Sequence, residues 1–292
     1  MNTQFHFRSE LIHAIDLLEL KPKQRLASPF VGEHESHSRG AGMHFKEFRP
    51  YEFGDDIRHI SWTTTARTGK PTLKVYDEER EIHVFIIVDI SGSSLFGSGN
   101  RRKIDMYAEV VALVAMSALK YNYRFGSVFA DSEVQSFSPP TRKKEEILSG
   151  INQLQTLNLQ KRQSDLRPAL QLCNRLLKHK TLLIILSDFI VPAFQAELHA
   201  LSTRHEIILM QGYDDSERFL SSKGISEICD PETGQFFVMD SESPFCRKAV
   251  QSYYATFLLN LEKVAQQCRA DFLPLSVQDD YLQRVVHFFN ER

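Results

Sequence analysis

Cysteine is scarce in this chain: four in 292 residues, at Cys173, Cys229, Cys246 and Cys268, with no C-x-x-C pair. That spacing excludes a disulfide frame and a cysteine zinc site, and it reads as reduced thiols in a cytosolic protein. Long hydrophobic runs are missing as well. The longest apolar stretch, 110–119, is too short to cross a bilayer and keeps helical spacing. The first residues, Met1-Asn2-Thr3-Gln4-Phe5, carry no secretory apolar core, so no membrane anchor is expected. Neither sign of charge dominates. A net charge of -2 removes the electrostatic case for nucleic acid or an anionic membrane. The loop Gly97-Ser98-Gly99-Asn100-Arg101-Arg102-Lys103 lacks the G-x-x-x-x-G-K-[ST] spacing of a phosphate cradle, and no G-x-S-x-G elbow marks a serine nucleophile. The histidines are dispersed, and the neighbours His34 and His37 read as a solvated pair. What remains is an ordinary globular composition, 42% hydrophobic and 25% charged, enough for a sizeable core.

Periodicity divides the chain near residue 78. Residues 9–20 carry helical spacing, closed by Lys21-Pro22-Lys23, and the polar stretch 32–42 reads as a loop. Alternation over 43–53 predicts a half-buried strand. Gly54-Asp55-Asp56 is a turn signal, Ile60-Ser61-Trp62 begins a short element, and 72–76 alternates again. Residues 1–78 are therefore expected to form a helix plus a small antiparallel β unit. From 79 onward strands and helices take turns. Strands are expected at 82–89, 124–129, near 134, at 181–187, 206–211 and 271–275. Helices are expected at 104–120, 143–154, 166–177, 192–203 with Pro192 in its first turn, 244–268 and 279–289. A hairpin is expected around Pro231-Glu232-Thr233-Gly234, with 235–239 as its second strand. This alternation predicts an α/β domain over 79–292, a mostly parallel sheet with helices on both faces. Runs 82–88 and 181–186 are apolar at nearly every position, as interior parallel strands should be.

Both of those strands end in oxygen-bearing side chains. The first runs into Asp89-Ile90-Ser91-Gly92-Ser93 and the second into Ser187-Asp188. Ligands of open parallel sheets gather beyond the carboxyl ends of the strands. Ser164, in Gln163-Ser164-Asp165-Leu166, falls where a helix is expected to begin and adds a third hydroxyl. Two carboxylates and three hydroxyls suit a hard divalent cation, Mg2+ before Mn2+ or Ca2+, and the lack of His or Cys ligands disfavours zinc or copper. The competing account makes Ser164 a helix N-cap and Asp188 a capping loop residue.

The order Asp89-x-Ser91-x-Ser93, then Ser164, then Asp188 resembles the metal-ion-dependent adhesion site of von Willebrand factor A domains. Upstream, Ser38-Arg39-Gly40-Ala41-Gly42, Phe45-Lys46-Glu47-Phe48-Arg49-Pro50-Tyr51, Gly54-Asp55-Asp56-Ile57-Arg58-His59-Ile60-Ser61-Trp62, Ala66-Arg67 and Tyr76-Asp77-Glu78-Glu79-Arg80-Glu81 resemble a bacterial domain-of-unknown-function family often associated with MoxR-type AAA+ ATPases. The resemblance implies a von Willebrand factor A-like, Rossmann-like fold from about residue 79. It implies direct ligation by Ser91, Ser93 and Ser164, with Asp89 and Asp188 acting largely through water. It also implies a protein partner, a MoxR-type AAA+ ATPase or its client, and an adaptor role in complex assembly. Two departures stand out. Ser164 replaces the commoner Thr, and Phe189 follows Asp188 where Gly is common, which is expected to narrow access to the site.

Two other functions compete at this stage. A metal-dependent phosphotransferase or hydrolase would use Asp89 as phosphoryl acceptor, but the position two residues on is Ser91 rather than a second acid. A structural subunit would leave the metal site unused. In the amino-terminal unit, Arg39, Arg49, Arg58, Trp62 and Arg67 form a candidate docking face. The plainer expectation is an internal ion-pair network, with Phe45, Phe48 and Ile60 packed beneath it.

Overall fold

The computed structural model describes residues 8–20, 43–78, 81–156, 163–219, 224–230 and 232–292. The chain divides into two compact units, Pro29–Glu81 and a larger one made of Met1–Ser28 with Ile82–Arg292. In chain order it begins with helix α1 (Ser9–Leu17), strand β1 (Met43–Pro50), helix α2 (Trp62–Thr68) and strand β2 (Thr72–Glu78). In the small unit β1 pairs antiparallel with β2. Between them, Ser61 caps α2 by accepting from the Thr64 amide, and Gly69, at φ 70°, ends it in the left-handed conformation that glycine adopts without steric cost.

The large unit continues with β3 (His83–Asp89), α3 (Lys103–Lys120), β4 (Arg124–Ala130), β5 (Val134–Thr141), α4 (Lys144–Thr156), α5 (Arg167–Leu176), β6 (Thr181–Ser187), α6 (Gln195–Ser202) and β7 (Glu206–Tyr213). A short α7 (Asp215–Arg218), the hairpin β8 (Ile225–Cys229) and β9 (Phe236–Asp240), α8 (Pro244–Gln267), β10 (Asp271–Ser276) and α9 (Tyr281–Glu291) complete it. Six strands form one sheet in the order β10-β7-β6-β3-β4-β5. All neighbours are parallel except β5, which returns antiparallel to β4. The fold is mixed α/β with a mostly parallel central sheet, as the strand–helix alternation predicts.

Every residue of β3 and β6 is buried because helices cover both sheet faces. Val84, Ile86 and Val88 face a core built with α1, α3, α4 and α9. Phe85 and Ile87 face a second core built with α5, α6 and α8. Fully burying one such aliphatic side chain contributes about 1.5–3 kcal/mol. Helix α1 belongs to the first core through Leu11 and Ala14, and the extended residues after it through Leu18 and Leu20. Lys120 Nζ donates to Asp16 O at 2.7 Å and Asn290 Nδ2 to Leu17 O at 3.2 Å, so this helix joins the large unit and not the β unit with which sequence order groups it. The helix expected at 192–203 starts later, at Gln195. Phe194 precedes it with φ −125° and a buried ring, so the chain enters the core before it can coil. Among the described residues no helix is long and apolar enough to cross a membrane.

His205, between α6 and β7, is 6% exposed, and neither ring nitrogen has a hydrogen-bond partner among the described residues. Burial, helped by Arg204, lowers its pKa to about 4. The unfolded chain therefore binds a proton that the folded chain refuses. This contribution to stability is complete above about pH 6.5 and is lost as pH falls through about 4, in total about 2–3 kcal/mol. His205→Leu should flatten urea-unfolding midpoints across that window. An unchanged pH slope would contradict this assignment.

Candidate metal centre

The sheet runs from β3 to β4 on one side and from β6 to β7 on the other, so its topological switch point lies between β3 and β6. Asp89 ends β3, and Ser187 and Asp188 leave β6 beside it. The apolar interiors of the two strands pin their register, Val88 opposite Leu186, which brings the polar ends together.

All five residues singled out from sequence meet here through hydrogen bonds. Ser164 Oγ donates to Asp89 Oδ2 at 2.7 Å. The Ser91 amide donates to Asp89 Oδ1 at 3.0 Å, and the Ser91 and Ser93 hydroxyls lie 3.1 Å apart. The Ser93 side chain hydrogen-bonds Asp188. Ser164 does not cap α5: that helix starts at Arg167, its N-cap is Leu166, and the Ser164 hydroxyl goes to Asp89 instead. Asp188 caps no helix either, since its Oδ1 closes a local turn on the Ile190 amide at 3.1 Å.

Phe189 adopts φ 62°, in the left-handed region that glycine enters without steric cost. A bulky residue there is strained by about 1–3 kcal/mol. The strain is offset by burial of the ring, 2% exposed, against Phe194 at 5.9 Å, and by donation of the Phe189 amide to Ser187 Oγ at 2.9 Å. The ring thus enters the second core, and the expected narrowing of the site by Phe189 is not what the structure shows.

Spacing arguments missed several partners. Ser187 Oγ donates to Asp89 Oδ2 at 2.7 Å. Lys103, at the first turn of α3, has a side chain 0% exposed and donates to Asp188 Oδ2 at 2.9 Å and to Glu217 Oε1 at 2.8 Å. In sequence it ends the run Arg101-Arg102-Lys103 and looks solvated. The available signal was its place on the buried stripe of α3, four residues before Tyr107 and seven before Val110. Tyr107 is itself buried with no partner for its hydroxyl among the described residues, and the charges of Asp188, Asp89 and Glu217 bear on it. Glu232 sits in the turn of the β8–β9 hairpin and accepts from the Ser164 backbone amide.

Charge divides the two aspartates. Burial pushes the Asp89 carboxyl above the ordinary carboxylate range, and the neighbouring Asp188 adds to the shift against the hydrogen bonds of Ser164, Ser187 and Ser91. Burial works in the same direction on Asp188, but the Lys103 ammonium outweighs it and holds that carboxyl low. Among the described residues, the hydrogen bonds to Asp89 come from hydroxyls and an amide. A carboxylate only 2% exposed and without a cationic partner among the described residues fits a bound hard cation. Among the described residues no three His, Cys, Asp or Glu side chains form a metal cage, so an ion at this point must draw on serine hydroxyls.

The amino-terminal docking residues behave differently from the expected buried network. Arg49 pairs with Asp55 at 2.6 Å in a half-buried bond and Arg58 with Asp56 at 2.8 Å in an exposed one, both local. Trp62 is 70% exposed and Arg67 is exposed. Phe48, expected to pack, is 47% exposed on its two-stranded sheet. Arg39 lies outside the described residues.

A family described as "Protein of unknown function DUF58" matches residues 47–256. An uncharacterized protein of Mycobacterium bovis is 26% identical over 288 residues, spanning 97% of this chain and 90% of its own length. An aerotolerance-related membrane protein from Bacteroides fragilis superposes with TM-score 0.48 at 14% identity, covering 72% of this chain and 100% of that one. The SpRpn10 VWA domain gives TM-score 0.44 at 10% identity over 72% of this chain and 95% of its own.

Proposed function

This chain belongs to the DUF58 family, which carries no assigned activity, and we propose from the site itself that it is a divalent-cation-dependent protein-binding module. The observation that carries the reading is Asp89, buried at a strand end without a cationic partner among the described residues and surrounded by serine hydroxyls. Ser91, Ser93 and Ser164 would hold the ion, with Asp89 and Asp188 supplying negative charge. A bound ion supplies an open coordination position for a partner's carboxylate. Mg2+ is the ion we favour, since an oxygen donor set rich in neutral hydroxyls suits a small hard cation that keeps part of its water.

Binding is favoured over catalysis by the state of Asp89. Both its oxygens are engaged and it is 2% exposed, which disfavours attack on a phosphoryl group, and Ser91 stands where a second acid would be needed. The partner we propose, a MoxR-type AAA+ ATPase or its client, rests on the resemblance of the upstream motifs. A cytoplasmic location rests on the scattered thiols. We assign the metal-binding module to Ile82–Arg292 together with α1, and the accessory β unit to Pro29–Glu81.

Pull-down of a purified MoxR-type ATPase from the same organism tests the reading. Capture by wild type should require millimolar Mg2+, disappear with EDTA, and fall about tenfold in Ser164→Ala. Capture that survives both chelation and Ser164→Ala would overturn it.

A further inference from the structure

Lys103 is the charged group at this centre that the binding scheme does not use. Its surroundings are built to keep it there. Glu217 Oε1 receives one of its bonds, while Glu217 Oε2 accepts from the Asp214 amide at 2.9 Å. Asp214 is in turn fastened to Ser98, accepting from its amide at 2.8 Å and its hydroxyl at 2.7 Å. The start of α7 and the loop ahead of α3 are thus tied together around a carboxylate that faces the ammonium. On the other side stands Asp188, a member of the metal constellation. Lysine is almost never fully buried unless paired, and here it is paired twice.

The consequence is electrostatic. The ammonium bonds Asp188 and Glu217, Asp89 has no such partner among the described residues, and Glu232 bears on both aspartates, so carboxylates outnumber the cation and the centre attracts a divalent ion. Asp188 has one oxygen committed to Lys103 before any ion arrives. We propose that Lys103 is a resident cation that sets the ion affinity of the site: it occupies Asp188 Oδ2, so an entering divalent ion meets a half-neutralised centre and binds more weakly than two free carboxylates would allow. The proposal rests on the metal reading above and adds the residue that tunes it.

The test is Mn2+ binding to the full chain, followed by isothermal titration calorimetry and by the electron paramagnetic resonance signal of free Mn2+. Wild type is compared with two variants. Glu217→Gln keeps the Lys103–Asp188 bond and makes the centre more positive, while its single side-chain oxygen can accept from either Lys103 or the Asp214 amide but not from both. Its Mn2+ affinity should fall about tenfold. The double variant Lys103→Met with Glu217→Gln keeps the net charge but frees Asp188, and its affinity should rise about tenfold. Thermal melts confirm that each variant is folded, and Lys103→Gln with Glu217→Gln replaces the double variant if that one is not. Folded variants that bind Mn2+ with the affinity of wild type overturn the role of Lys103 and leave the metal reading standing. Absence of Mn2+ binding from all three proteins overturns both. Binding by the double variant alone supports Lys103 as the cation that excludes the metal.

Discussion

Replacing Lys103 by methionine alone should lower folding stability by about 3–5 kcal/mol, the usual result of removing one partner from a buried ion pair. Methionine matches the aliphatic stem, so packing changes little. The loss comes from Asp188, 4% exposed, and Glu217, left facing each other without the ammonium that both contact. For a chain of this size the melting temperature should drop on the order of 10 °C. The pH dependence gives the cause away. Without Lys103, burial and mutual repulsion raise both carboxyls above their unfolded values. An acid raised on folding leaves stability intact below its unfolded pKa and removes it as pH rises through the folded one. The gap between variant and wild type should therefore be small near about pH 4 and widest near about pH 8 in urea titrations. Millimolar Mn2+ should restore part of it by binding the freed Asp188. A gap that does not vary with pH would mean that methionine acts by misfitting the core.

Asp89→Asn should separate function from stability. Asparagine keeps the shape, and its side-chain oxygen can still accept from the Ser91 amide, as Asp89 Oδ1 does at 3.0 Å. The variant removes the charge that would attract a cation, so affinity for Mg2+ or Mn2+ should fall about 10–100-fold, the range seen when a charged group that orients metal ligands is lost. In chelator the same variant should melt higher than wild type. Burial and the nearby Asp188 raise the Asp89 carboxyl, so the metal-free wild type has its full share of stability only below about pH 3.8 and loses it as pH climbs through the raised value. An uncharged amide in its place carries no such dependence. The combination of weaker ion binding with a higher melting temperature at neutral pH marks a residue kept for a ligand rather than for the fold. A variant that melts lower in chelator and binds ions as before would show that Asp89 is a structural hydrogen-bond acceptor.

Much of this architecture was legible because its causes are local. Strands apolar at every position, such as 182–186, can only lie inside a sheet covered on both faces, and the observed β6 is buried throughout. Asp89, Ser91 and Ser93 share a loop by spacing alone, and Pro231 to Gly234 announced the hairpin that β8 and β9 form. Helix α1 shows the limit of such reading. Its apolar stripe marked a helix with a face to bury, while nothing in it named α3 and α9 as the cover.

The sequence by itself determined the strand–helix alternation, the acidic and hydroxyl ends of two interior strands, and so the kind of chemistry to expect between them. Tertiary structure alone decided who touches whom there. Ser164 reaches Asp89 across 75 residues, Ser187 across 98, and Lys103 reaches Asp188 across 85 and Glu217 across 114. Periodicity reports which face of an element is buried. It says nothing of which charge waits on the other side, because partners so far apart along the chain are matched by packing of whole elements and leave no trace in residue spacing.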